Sequence, residues 1–213
     1  GEQRRLDMLL VLSVCHLRTV GASSWDEWTR RQITELYHAA SAWIEGGEAG
    51  VRRRFAERAA TARSAARDRL ADWNEEEGEA FLVRLSDEMF RVFDADMIVR
   101  IADLSRAAAR EGARAAVSLR PHGDELEAVI YADDRTGLLA DLAGAVSAAG
   151  ANVRSVQATT TTDGKVVDVF TLQSLEGGGV DDPSLARRLH ARLLEAARTA
   201  PQRPPAPARR IGD

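Results

Sequence analysis

At Ala115 the spacing of apolar residues along this 213-residue chain first changes from helical to alternating, and that change limits the folds open to it. Before Ala115 apolar side chains recur at helical spacing. After it they alternate, as in half-buried strands, with helical stretches between. The chain therefore reads as α+β, an all-helical first half followed by a sheet with helices packed on it.

In the second half Ala115 to Arg120 and Leu126 to Ala132 are strand candidates, and Pro121, His122, Gly123 and Asp124 between them suggest a hairpin. The stretch from Asp133 to Val153 then opens a helix, with Leu138, Leu139, Leu142, Ala145, Val146 and Ala149 on one stripe and Asp141 and Ser147 on the wet side. Asp133, Asp134 and Thr136 precede it as capping residue types, Gly137 lets backbone come close, and Gly150 followed by Asn152 is a stop. Val153 to Thr161 and Lys165 to Gln173 flank an Asp163-Gly164 turn, a second hairpin. After the loop from Glu176 to Asp182, a helix runs from Ser184 to Arg198 with Leu185, Leu189, Leu193 and Leu194 inward, and the tail PQRPPAPARR reads as extended linker. The order is ββαββα. A ferredoxin-like module runs βαββαβ, with its last strand antiparallel beside its first. Here an extra leading strand takes that place, which predicts a permuted ferredoxin-like sheet.

The first half predicts a mostly buried helix from Leu6 to Val20, stopped at Gly21. Ser24 and Glu27 fit a capping box for a second helix, whose broad apolar face includes Trp25, Trp28, Ile33, Leu36, Tyr37 and Trp43 before Gly46 and Gly47 stop it. The two form an α-hairpin. A charged helix from Val51 to about Trp73 has only a thin apolar seam, including Phe55, Ala62, Ala66 and Leu70. Helices over Glu79 to Leu85 and Asp94 to Arg110 follow, the latter capped by Asp94, lined inward by Met97, Ile98, Ile101 and Ser105, and ended at Gly112.

Composition narrows the function. No apolar run approaches the ~18 to 20 residues of a membrane span, so no membrane partner is expected. A single cysteine, Cys15, excludes an intrachain disulfide or multi-cysteine zinc site, is expected in the core, and fits a cytoplasmic location. The net charge of −4 gives no bias toward nucleic acid. Seven arginines from Arg52 to Arg69 crowd one helix, an RNA-binding face by one reading, but Glu57, Asp68, Asp72 and Glu75 to Glu77 interleave or follow and favour a solvated face. His16 and His38 on apolar helices read as core or boundary residues rather than metal ligands. Opening at Gly1 directly on an apolar helix, the chain reads as a piece of something longer.

The chemistry concentrates after Ala132. A strand, a glycine-bearing loop and a helix N-terminus make an anion site for a carboxylate or phosphate, and Asp133 or Asp134 could hold an ammonium nearby. A free amino acid carries both charges. The plainer alternative is a loop that only caps a helix.

The segment EAVIYADDRTGLLADLAGAVSAAGANVRSVQATTTTDGKVVDVFTLQ resembles an ACT domain, a small regulatory module that commonly binds amino acids. More narrowly it is similar to the first ACT repeat of the enzyme family that uridylylates and deuridylylates the PII nitrogen signal protein. LLVLSVCHLRTVGASSWDEWTRRQITELY resembles the end of that family's HD phosphohydrolase domain. The resemblance implies a helical hairpin over 1–45, a helical connector over 46–112, an ACT-like domain over 115–199 and a Pro/Arg-rich linker over 200–213. It implies a regulatory fragment that senses glutamine through Asp133, Asp134, Arg135, Thr136, Gly137, Leu138 and Asn152. The amides of Thr136 to Leu138 would meet the carboxylate, Asp133 or Asp134 the ammonium, and Asn152 the carboxamide or a partner chain. A second ACT module or a homodimer would complete the site. No catalytic residue or cofactor is expected here; UTP and magnesium or another divalent metal belong to the parent enzyme. Where the family offers an aspartate to its HD metal, this chain has His16, a poor partner for a hard cation. The alternative is a structural or oligomerising ACT module that binds no small molecule.

Overall fold

The computed structural model describes residues 1–20, 25, 27–70, 73–123, 125–175 and 182–199. The Gly21 stop, Ser24 of the capping box, Asp124 of the first turn, most of the loop from Glu176, and the tail lie outside the described residues. Two compact units divide the chain, Gly1–Thr61 and Ala62–Asp213.

The first unit contains α1 (Glu2–Val20) and most of α2 (Glu27–Arg69). α1 and the first limb of α2 form the expected hairpin: Tyr37 Oη donates to Asp7 Oδ1 at 2.9 Å and Ser41 Oγ to Gln3 Oε1 at 3.0 Å. The glycine pair breaks α2, Gly46 at φ −148° and Gly47 at φ 57°, a left-handed conformation suited to glycine. The second limb turns back on the first so closely that a Cβ on Gly50 would collide with the Ala42 carbonyl oxygen, and Arg58 pairs with Glu35. One expectation fails. α1 contains no buried residue, and Cys15, expected in a core, is exposed. The arginines of α2 are largely neutralised pairwise, Arg52 by Glu48, Arg53 by Glu57, Arg63 by Asp87 and Arg69 by Asp96.

In the second unit α3 (Glu75–Arg84) starts where the Asn74 side chain accepts from the Glu76 amide at 3.1 Å. A short α4 (Asp87–Val92), absent from the sequence expectation, is capped by Ser86 and buries Met89 and Phe90. α5 (Ala95–Arg110) begins as expected, with Asp94 accepting from the Met97 amide at 2.9 Å. Then come β1 (Ala115–His122), β2 (Glu125–Asp133), α6 (Leu138–Ala148), β3 (Ala151–Thr160), β4 (Lys165–Ser174) and α7 (Pro183–Arg198).

The sheet order is β1-β2-β4-β3, antiparallel throughout. This is the permuted ferredoxin-like arrangement, with β1 beside β2 where the module's final strand would lie. Because strand side chains alternate, each strand feeds two layers. Ala128, Ile130, Phe170 and Leu172 face α6 and α7 and pack on Leu142, Val146, Leu189 and Leu193. Val129, Tyr131, Val167 and Val169, of opposite parity, are also buried. α5 packs on β1 and β2, and its Arg100 pairs with Glu127. The α6 stripe needs one correction: Leu138, Leu142, Val146 and Ala149 are buried, but Leu139 is 43% exposed.

Candidate functional site at the α6 N-terminus

β2 delivers the chain to the top of the sheet, and α6 must turn back over it. Gly137 makes that turn at φ 83°, ψ −1°, a left-handed conformation that a side chain would strain. A Cβ there would meet no protein atom within 4 Å, so the constraint is conformational and the space beside it is open. The expected cap differs. No side chain caps α6; Gly137 is itself the N-cap residue, and Asp133, Asp134 and Thr136 play no such part. The Leu138 amide bonds the Arg135 carbonyl at 3.2 Å, while Leu139 and Ala140 belong to the first turn, where amides lack intrahelical acceptors. The loop is tethered to the neighbouring hairpin, since the Asp134 amide donates to the Gly164 carbonyl at 3.2 Å.

Beside this helix end lies a cleft of ≈ 630 Å³. Its wall is the first two turns of α6, Leu138, Leu139, Ala140 and Ala143; its floor comes from β3 and β4, with Ala158, Thr160, Val166 and Asp168; Asp134, Arg135 and Gly137 form the rim.

The structure brings some of the expected residues together and separates others. Asp134, Arg135, Gly137 and Leu138 line the cleft. The Arg135 guanidinium is turned aside, 2.6 Å from Asp141 Oδ2 and donating to the Ala196 carbonyl at 2.9 Å. Asp133 does not line it. Its carboxylate accepts from Lys165 Nζ and, at 2.9 Å, from Arg114 Nε, and those bonds, Lys165 first, hold its pKa below the usual carboxylate range. Thr136 is exposed and also outside the lining. Asn152 pairs with Gln173 at the opposite end of β3, six residues from Ala158, or ~20 Å along an extended strand.

Sequence reasoning missed Asp168. It stands opposite Ile130 and Ala158 in the ladder and is 3% exposed. Its carboxylate has no hydrogen-bond or ion-pair partner among the described residues, and burial, with Asp134 second, pushes its pKa up to about 6. The available signal was one acid inside the run VVDVF, at the same strand parity as core residues Val166 and Phe170.

No three His, Cys, Asp or Glu residues among the described residues come together to hold a metal ion. His16 is an exposed residue beside an aliphatic groove lined by Leu6, Leu9 and Leu36, a setting that does not fit a hard cation. No helix among the described residues is long and apolar enough to cross a membrane.

Residues 127–193, which include the β2–α6 loop and the whole cleft, match the ACT domain family. The second unit carries an ACT domain. Over 91% of its length the chain is 36% identical to the bifunctional uridylyltransferase/uridylyl-removing enzyme of Caulobacter vibrioides, and over 82% it is 36% identical to the enzyme of that name from Azospirillum brasilense. The chain spans about a fifth of those relatives, 21% and 19% of their respective lengths. No solved structure matches it. β1, supplying the outer strand beside β2, lies upstream of the matched ACT residues, so the helix-to-sheet transition at Ala115 precedes the family boundary.

Proposed function

We propose that this chain is a regulatory part of a bifunctional uridylyltransferase/uridylyl-removing enzyme, and that its ACT domain binds free glutamine in the cleft at the α6 N-terminus. The observation that carries this reading is the cleft itself, ≈ 630 Å³ beside a helix end whose first-turn amides are without intrahelical acceptors. The ligand carboxylate would meet those amides and the positive end of the helix dipole. On this reading the whole enzyme modifies the PII signal protein in nitrogen signalling, and UTP and a divalent metal serve catalytic regions that the described residues do not form. Binding regulates by favouring one of two states of the enzyme, in proportion to the difference in affinity. Contacts run from the cleft toward the helices: Asp134 hangs on Gly164, and the Thr162 amide in the same turn donates to the Arg84 carbonyl of α3 at 2.8 Å.

Titration calorimetry of glutamine into the 213-residue chain tests the proposal. A saturable heat is expected; silence at millimolar glutamine, with strand circular dichroism intact, overturns it. Gly137→Val should abolish the heat, because a β-branched residue strains the left-handed turn and its methyls project into open space at the mouth. Unchanged affinity would reject this pose.

One observation favours a second reading, an oligomerising ACT module. β3 is an outer strand, and its Val153 and Val156 are each 38% exposed. A dimer in sedimentation that ignores glutamine, together with silent calorimetry, would favour it.

A further inference from the structure

We propose that Asp168 is the residue that receives the ammonium of an α-amino acid bound in this cleft. The inference rests on the cleft being an amino-acid site, and it replaces Asp133, occupied by Lys165 and Arg114, as a candidate for that role.

Three observations carry it. Asp168 lies on the floor of the cleft at 3% exposure, and no donor within the described chain reaches its carboxylate. A largely desolvated carboxylate that no donor reaches is favoured to take up a cation or a proton. Secondly, the surroundings leave it unneutralised. Asp134 and Arg135 are the other charged residues lining the cleft, and Arg135 is committed to Asp141 and Ala196. α6 contributes only Leu138, Leu139, Ala140 and Ala143, β3 contributes Ala158, Thr159 and Thr160, and α7 contributes no lining residue. Lys165, at the start of the same strand, is bonded to Asp133. Thirdly, the helix end supplies the opposite charge preference. The Leu139 and Ala140 amides at one side and the Asp168 carboxylate on the floor match the two charges of a zwitterion, whereas a phosphate or simple carboxylate would be repelled by Asp168.

The test uses the full chain, all twenty common amino acids and 4-carbamoylbutanoate, which is glutamine without its amino group. Asp168→Asn keeps the side chain's shape and removes its charge. The expected result is that an amino acid binds the parent chain, that Asp168→Asn weakens it about tenfold or more with unchanged circular dichroism, and that 4-carbamoylbutanoate gains nothing from Asp168. With a carboxyl that titrates at about 6, affinity should also fall as pH drops below 6, and Asp168→Asn should abolish that fall. If glutamine is silent but another amino acid binds with this dependence, the glutamine assignment fails and the role of Asp168 stands. If glutamine binds Asp168→Asn as tightly as the parent chain, the role of Asp168 is overturned and the glutamine site stands. If none of the twenty binds, both are overturned.

Discussion

α1 and α6 both carry a leucine-rich stripe at helical spacing, and only one of them is covered. On α6, Leu138, Leu142 and Val146 are 3%, 0% and 0% exposed beneath the sheet layer. On α1 nothing is buried, and Met8, Leu9 and Leu12 are 51%, 59% and 66% exposed. Spacing fixes which residues share a face, but coverage depends on what the rest of the chain brings to that face. α6 is joined by short loops to β2 and β3 and meets α7, so its stripe is enclosed within one folded unit. α1 shares its unit with α2 only as far as Thr61, and its outward leucines stay exposed.

The sharpest way to break this comparison is to truncate the enclosed stripe. Leu142→Ala should destabilise the second unit by about 2–5 kcal/mol, since the residue is fully buried among rigid strand and helix neighbours. Urea unfolding followed by strand circular dichroism reads this out. A loss below about 1 kcal/mol would mean that α6 is not held as tightly as its burial implies.

Within the covered region Asp168 is the exception, and its sign is opposite. Its folded pKa of about 6 lies above the ~3.9 of an unfolded aspartate, so the folded state binds the proton more tightly. The penalty is absent below pH ~4, grows as the pH rises toward 6, and is complete above that. Asp168→Asn should therefore stabilise the ligand-free chain by on the order of 2 kcal/mol at pH 7.5 and change little at pH 4. Asp133 behaves conversely. Its lowered pKa contributes stability that is present above pH ~4 and disappears as the pH falls through the folded value. Urea midpoints for Asp168→Asn that rise equally at both pH values would point to a packing effect instead.

The fold was legible where its causes are local. The change of period at Ala115 gave the helix-to-sheet boundary, glycines at 46–47, 137, 150 and 164 marked real breaks, and Asp94 caps α5 as its position predicts. α4 escaped because six residues carry less than two turns of period. The site was legible only in part, because its chemistry depends on pairs distant in sequence. Asp133 and Asp134 are indistinguishable in the sequence; they differ because Lys165, 32 residues on, reaches only the first. The family resemblance puts Asn152 in one site with the loop, but α6 carries the chain the length of the sheet before β3 begins. Asp168 becomes visible as a site residue only when the β2–β4 register sets it opposite Ile130, on the face shared with Val166 and Phe170.

The smallest expected effect belongs to the uncovered stripe. Leu12 is 66% exposed, so removing its apolar surface gives up little burial, and glutamine in its place keeps a good helix former. Leu12→Gln should shift the stability of the first unit by no more than about 0.5 kcal/mol. Thermal unfolding followed by helical circular dichroism, over a range of protein concentrations, measures it. A destabilisation above about 1 kcal/mol that grows with concentration would show that the α1 stripe is covered by a second molecule, and the contrast with α6 would then lie in where the covering surface comes from. A small, concentration-independent shift would establish that a leucine stripe can be carried at helical spacing without contributing to the stability of the chain that bears it.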